Sequence, residues 1–378
     1  VLDLAAADRR EAALAQDGQE VSAQLERCLR TAVDRHLVSD VPVGALLSGG
    51  IDSSLLYWLA CDTSVPLTTF TKLSPGIESI PQTVVPELLR LRGSPSHFCE
   101  ESPAGYLPSL VQFVRASHAP ARWGGGPAMY HLCREARARG ITVLLGGDGI
   151  DEYAAGYKTL PALLEAFDGD PSGLHQVVDT RPIAEIPLGA RAEAFRQSTV
   201  AAKRRLYEGL GHVAEPSERF AEATLLQDVE LFLQTCALVN SDAYSMMASV
   251  ELRNPFLDID LVEFVVNQPF ERKLDRAGGE LGNKLLFRQL ARRLIGGQLD
   301  VPKEGTRNYS KAVSQPELWS LDRFRVAQEL RLPANPGWRE LFKIINLEIF
   351  WTLFQEQRDI DLLSLASADG RRQLAPAA

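Results

Sequence analysis

Two short Gly-rich stretches concentrate the residues able to do chemistry. The first, Ser48-Gly49-Gly50-Ile51-Asp52-Ser53, follows an apolar run and opens a helical one. Glycines there let backbone N–H groups approach a ligand with no Cβ in the way. A helix starting at that point aims its positive end and its free N–H groups at the same place. Ser48 and Ser53 add hydroxyls, so the stretch reads as a phosphate cradle. It is not a Walker A loop, because GxxxxGK[ST] occurs nowhere in the chain. Asp52 would repel a polyphosphate unless a cation stood between them. Mg²⁺ is the usual bridge, held by one or two carboxylates plus phosphate oxygens. The bland alternative for Asp52 is a helix N-cap. The second stretch, Gly146-Gly147-Asp148-Gly149-Ile150-Asp151-Glu152, holds three glycines and three carboxylates. Alone it could be a solvated acidic turn. Taken together, the two turns imply that Asp52 and Asp151 share a Mg²⁺ on a nucleotide's phosphates.

The elements around these turns must bring them together. Val21, Leu25, Cys28, Leu29, Val33 and Leu37 recur at helical spacing over Gln19 to Val38. Strand-like runs follow: the one ending at Leu47, then Pro66 to Leu73, Ser96 to Glu101, and Ile141 to Gly149. Helical patterns separate them. This alternation predicts an α/β fold, a parallel twisted sheet with helices on both faces. Ligands of such sheets sit at the carboxyl ends of the strands, where both Gly-rich turns fall. From about Leu160 the pattern becomes mostly helical, and "LLQDVELFLQTCALVNSDAYSMMASVEL" reads as helix throughout. The expected organisation is a linker-like start over 1–20 and a sheet core over 21–158. A mostly helical part over 159–365 completes the domain, and 366–378 is a flexible tail. The apolar "IINLEIFWTLF" is core or a contact surface for a homodimer.

Bulk properties narrow the function classes. The 378 residues carry a net charge of −9, with 45% hydrophobic and 24% charged residues, ordinary for a soluble globular protein. That charge argues against broad nucleic-acid or membrane-surface binding, and no apolar run reaches the ~18 residues of a membrane span. The five cysteines include no CxxC pair and the six histidines no HxxxH pattern. Reduced thiols, a cytoplasmic location and no structural zinc are the expectation.

The motifs resemble a known family. "SGGIDSS" looks like the pyrophosphate-loop signature of the ATP pyrophosphatases, which cleave ATP between the α and β phosphates. "DVPVGALLSGGIDSS" resembles the asparagine synthetase branch, as do "GGDGIDEYAAGY", Asp242 to Phe264 with its "PFLD", "NKLLFRQL" and "LDVPKEGT". The resemblance spans about Val21 to Gln355. It implies the PP-loop, adenine nucleotide α-hydrolase-like fold and an ATP-dependent ligase that adenylates a carboxylate and passes the acyl group to ammonia or an amine. It also implies the roles of individual residues. Ser48, Gly49, Gly50 and Ser53 would hold pyrophosphate, Leu47, Thr71 and Gly147 would lie near adenine, and Asp52 and Asp151 would bind Mg²⁺. Lys303 matches a lysine that stabilises charge during adenylate formation and acyl transfer. Lys284 either faces phosphates or lies on a helix surface. Asp148 could orient or deprotonate the amine, which requires a pKa raised from ~4. Glu251, a third catalytic candidate, pairs with Arg253 in what reads as a buried, site-ordering ion pair.

The chain also departs from the family. It begins Val1-Leu2-Asp3, resembling the linker after a glutaminase domain, so that domain is expected upstream or on a separate subunit. Val301 stands where the family often has Arg, Ala154 where it has Phe, and "RWGGGPAMY", Arg122 to Tyr130, replaces a Thr/Ser-rich substrate stretch. Kept phosphate machinery beside an altered substrate wall suits a specialised relative, such as a lasso-peptide cyclase or a β-lactam synthetase. A non-catalytic ATP-binding relic is the alternative of another class.

Overall fold

The computed structural model describes residues 5–75, 80–121, 124–167, 169–170, 190–297, 301–302, 309–329 and 336–374. Two helices open the chain, α1 (Ala7–Ala15) and α2 (Gly18–Leu37). The α/β part then runs β1 (Val43–Leu46), α3 (Ile51–Ala60), β2 (Leu67–Leu73), α4 (Ile80–Arg92) and β3 (Ser96–Glu100). It continues through α5 (Pro103–Ser117), α6 (Gly125–Ala138), β4 (Val143–Leu145) and α7 (Ile150–Tyr153). A fifth strand, β5, is Glu251–Arg253. The sheet order is β3-β2-β1-β4-β5, with every described pairing parallel. This is the α/β architecture with a parallel sheet that the strand–helix alternation predicts.

Each element has a local cause. Helix α2 starts at a capping box in which Asp17 accepts from the Glu20 N–H and Glu20 answers to the Asp17 N–H. It buries Val21, Leu25, Leu29, Val33 and Leu37 along one stripe. The central strands β1 and β4 are nearly continuous apolar runs, as strands covered on both faces must be. On one face Leu25, Leu29, Leu55 and Val85 form a core under α2, α3 and α4. On the other, Phe70 and Leu144 meet Cys133 and Ala136 of α6.

Three regions differ from the sequence reading, and a fourth falls to one of its two alternatives. The run through "SMMASVEL" does not stay helical. Its helix ends at Met246, Ser249 turns the chain with φ 55°, and Glu251–Arg253 joins the sheet edge. Glu251 N–H donates to Thr142 O, and Gly146 N–H donates to Arg253 O, both at 2.8 Å. Residues 1–20 are more than a linker, since α1 and the start of α2 lie there, and buried Arg10 pairs with Glu218 and Glu222. The segment expected to be a flexible tail contains the helix Ala368–Leu374, with Leu374 buried. The helix Trp338–Phe350 turns Leu341, Phe342, Ile344, Ile345 and Ile349 into a second core shared with α5, so most of the run offered as a dimer surface is used within the chain. Among the described residues, no helix is long and apolar enough to cross a membrane. All five cysteines are free.

Candidate functional site

The first turn leaves the sheet from β1. Leu47 N–H donates to Phe70 O at 3.0 Å, and the buried Thr71 hydroxyl donates to Leu47 O at 2.8 Å. Leu47 and Thr71 are therefore neighbours at the carboxyl edge. Gly49 has φ 75°, a conformation side chains rarely adopt. The turn closes on itself: Ser48 N–H donates to Ser53 Oγ at 3.1 Å, and the Ser53 hydroxyl lies 3.2 Å from Gly50 O. Ser48 remains exposed. Gly50 is the N-cap of α3 and makes no side-chain cap bond, while Asp52 sits inside the helix's first turn. The plain N-cap reading of Asp52 therefore falls.

The second turn abuts the first. A Cβ on Gly147 would lie 3.3 Å from the Asp52 Cβ. Gly149 has φ 109°, and a Cβ there would meet Leu257 Cδ2 at 2.2 Å. Only glycine fits this approach, and it starts α7, which presents Asp151. The Tyr153 hydroxyl of α7 donates to Phe256 O at 2.7 Å, tying the turn to the "PFLD" segment. Glu152 is buried and accepts from the Tyr157 hydroxyl. Burial pushes its carboxyl up to about 7 against that hydrogen bond.

Lys284 joins the two turns. Its ammonium lies 2.7 Å from Asp52 Oδ2 and 2.7 Å from Asp151 Oδ1. The two oxygens are thus no farther apart than twice that distance. The side chain is 2% exposed, so the surface alternative for Lys284 is excluded. Burial disfavours its charge, but Asp52 and Asp151 more than offset this and hold its pKa above the ordinary lysine value. Two carboxylates converging on one cation are the hard oxygen donors that Mg²⁺ takes together with phosphate oxygens. The residues present therefore fit that ion. Among the described residues, no group of three or more His, Cys, Asp or Glu could hold a metal.

Asp148 lies beside this point. The Ser241 hydroxyl donates to its Oδ2 at 2.6 Å, and its own N–H faces Asn254 Oδ1 at 3.4 Å. Burial raises its pKa, Ser241 opposes this, and the charges of Asp151 and Asp52 raise it further. This is the direction a general base near neutral pH requires.

Other candidates fall elsewhere. Glu251 is exposed and sits opposite Val143, at the amino end of β5, while the Gly-rich turns lie at the carboxyl edge. It does pair with Arg253, at 2.7 Å, but the pair is not buried. Arg253 donates to His36 O and Val38 O at the end of α2, which makes the pair an anchor for that helix. A three-residue edge strand inside a helical stretch gives too little periodicity to reveal this. Lys303, Arg122 and Trp123 lie outside the described residues. Ser241, Asn254 and Asn283 were missed. Asn254 lies next to "PFLD" and Asn283 opens "NKLLFRQL", either of which could have flagged them, whereas Ser241 carries no sequence signal.

Comparison with known proteins shows the family. The asparagine synthase family model matches residues 24–364. Asparagine synthetase [glutamine-hydrolyzing] 1 of Bacillus subtilis (strain 168) is 28% identical over 275 residues, covering 64% of this chain and 43% of its own length. A putative asparagine synthetase [glutamine-hydrolyzing] of Mycobacterium tuberculosis (strain ATCC 25618 / H37Rv) is 28% identical over 286 residues, covering 67% of this chain and 43% of its own. The chain thus spans less than half the length of these relatives. Among solved structures, the U34-tRNA thiolase of Methanococcus maripaludis matches with TM-score 0.29 and 16% identity over 56% of this chain and 83% of its own. NMN synthetase of Francisella tularensis matches with TM-score 0.26 and 20% identity over 38% and 59%. Likeness at that level adds nothing to the fold read from the strands themselves. The family match over residues 24–364, nearly the whole chain, decides the matter: the chain belongs to the asparagine synthase family.

Proposed function

We propose that this chain is an ATP-dependent carbon–nitrogen ligase. It would adenylate a carboxylate, release pyrophosphate, and pass the acyl group to ammonia or an amine. One observation carries the reading: two acidic Gly-rich turns from separate strands meet at one buried cation, at the ligand edge of a parallel sheet. The exposed Ser48, the Gly49 and Gly50 backbone, Ser53 and the α3 N-terminus receive the pyrophosphate. Leu47, Thr71 and Gly147 border the nucleoside. Mg²⁺, when bound, is held by Asp52 and Asp151 and neutralises phosphate charge. Lys284 neutralises charge at the same point, and Lys303 carries the role that the resemblance gives it. Asp148, with its raised pKa and its Ser241 hydrogen bond, accepts the proton of the incoming amine.

The acyl substrate is a small-molecule or peptide carboxylate. The altered stretch at 122–130 supports a specialised amide-forming or macrocyclising ligase over asparagine formation. An upstream glutaminase domain or subunit is the proposed ammonia source. We further propose a cytoplasmic enzyme with no nucleic-acid or membrane partner. The test is carboxylate-dependent ATP–pyrophosphate exchange over a panel of acids and peptides. Exchange that Asp52→Ala abolishes supports the reading. If Mg·ATP binds but no acid supports exchange and no AMP forms, the ligase reading gives way to a non-catalytic relic.

A further inference from the structure

Lys284 holds a backbone conformation that side chains rarely adopt, φ 52° and ψ 39°, and it has no side-chain cap. Its ammonium still reaches two carboxylates at once. The clamp that fixes this turn is Arg288, one helical turn further on and 1% exposed. Its Nε donates to Asn283 O at 2.9 Å and its Nη2 to Asn283 Oδ1 at 2.7 Å. Its Nη1 donates to Val301 O at 3.0 Å. Asn283 in turn donates from Nδ2 to Gly156 O at 2.8 Å. Gly156 closes the second turn, and its N–H donates to Asp151 O at 2.9 Å. One planar fork therefore joins the residue before Lys284, the segment that follows Asp151, and a carbonyl two residues ahead of Lys303.

We propose that Arg288 is a positioning residue. It holds Lys284 against Asp52 and Asp151 and thereby sets the affinity of the site for a magnesium–nucleotide complex. This rests on the ATP reading given above. The hydrogen bonds given above connect Arg288 to the Lys284 turn through Asn283. Its effect would pass through Asn283 and the Lys284 backbone. A lysine in its place would keep a positive charge but lose the rigid fork that spans Asn283 and Val301.

The experiment is calorimetric titration of the full chain with Mg²⁺ and α,β-methylene-ATP, using wild type, Arg288→Lys, Lys284→Met, the double variant and Asn283→Ala. Arg288→Lys is expected to shift the dissociation constant at least about fivefold, in the direction that Lys284→Met shifts it. In the Lys284→Met background the same change should shift it by less than about twofold, the non-additivity of two residues acting as one unit. A purely structural role would give equal shifts in both backgrounds, and that result overturns the proposal. So does wild-type affinity in Arg288→Lys. If Arg288→Lys does not fold, Asn283→Ala decides, because it removes the side-chain bonds from Asn283 to Arg288 and to Gly156 O while leaving the guanidinium in place; unchanged binding there overturns the proposal. Failure of the wild type to bind the nucleotide overturns the ATP reading itself.

Discussion

Replacing Lys284 with Met isolates the charge at the centre of the site. Methionine keeps most of the buried stem and removes the ammonium that lies 2.7 Å from each of two carboxylates. Removing one partner of a buried ion pair costs ~3–5 kcal/mol, because the other charge is left uncompensated. Here the lysine is 2% exposed, but Asp52 and Asp151 are 22% and 20% exposed. Water screens part of their repulsion, which brings the cost below that range, to ~2–3 kcal/mol. Because the loss comes from two facing carboxylates, a divalent cation should restore it. Mg²⁺ at one hundred times its dissociation constant would return ~2.7 kcal/mol. The assay is urea unfolding with and without MgCl₂, with NaCl matching the ionic strength. Wild type should respond weakly to Mg²⁺ without nucleotide, and the variant strongly. A variant within ~0.5 kcal/mol of wild type, or equal stabilisation of both proteins by Mg²⁺, would refute the reasoning.

Three further outcomes follow from the same structure. Glu152 has a carboxyl raised from 4.5 to about 7, so the folded state binds a proton more readily than the unfolded chain does. Its contribution is fully present below pH 4.5 and is lost as the pH rises toward 7, up to ~3 kcal/mol; Glu152→Gln should flatten that fall in denaturation curves, and an unchanged slope would count against the assignment. A Cβ at Gly156 would lie 1.9 Å from Asp151 Oδ1 and 2.5 Å from Lys284 Cε, so Gly156→Ala should abolish magnesium–nucleotide binding by calorimetry, while Gly297→Ala, with nothing near its Cβ, should not. Away from the site, Lys273 donates to Glu222 at 2.7 Å with both groups buried, and Arg10 stands 3.5 Å from the same carboxylate; because Arg10 still compensates part of that charge, Lys273→Met should cost no more than ~3 kcal/mol in chemical denaturation, the double change with Glu222→Leu should cost less than the sum of the single losses, and losses that simply add would refute the coupling.

The sequence was most informative where chemistry is local. The strand–turn–helix units around Ser48–Ser53 and Gly146–Glu152 are short, and their glycines and carboxylates announce themselves. The strands β1 to β4 were legible because apolar runs alternate with helical spacing. What escaped depends on distant partners. The strand Glu251–Arg253 exists because Thr142 and Gly146 offer it backbone hydrogen bonds, 109 and 107 residues earlier in the chain. No window of sequence contains that information, and the same gap misplaced Glu251. The sequence leaves the place of Lys284 open for a similar reason. On its helix it looks like any basic residue, and only the fold shows that its neighbours are Asp52 and Asp151.

That placement bears on how the site must work. A lysine already neutralises the two carboxylates that the motifs mark for magnesium. Binding of Mg²⁺ to both is therefore an exchange of one cation for another, and it needs somewhere for the ammonium to go. On the proposed reading, nucleotide phosphates at Ser48–Ser53 would provide that acceptor. Magnesium alone must instead displace a well-placed lysine, at a cost set by two charge-assisted hydrogen bonds worth ~1.5–3 kcal/mol each. Metal and nucleotide should thus bind as one unit in the wild type. In Lys284→Met the metal should bind without the nucleotide, and titrations of each ligand in the presence and absence of the other would show that coupling disappear.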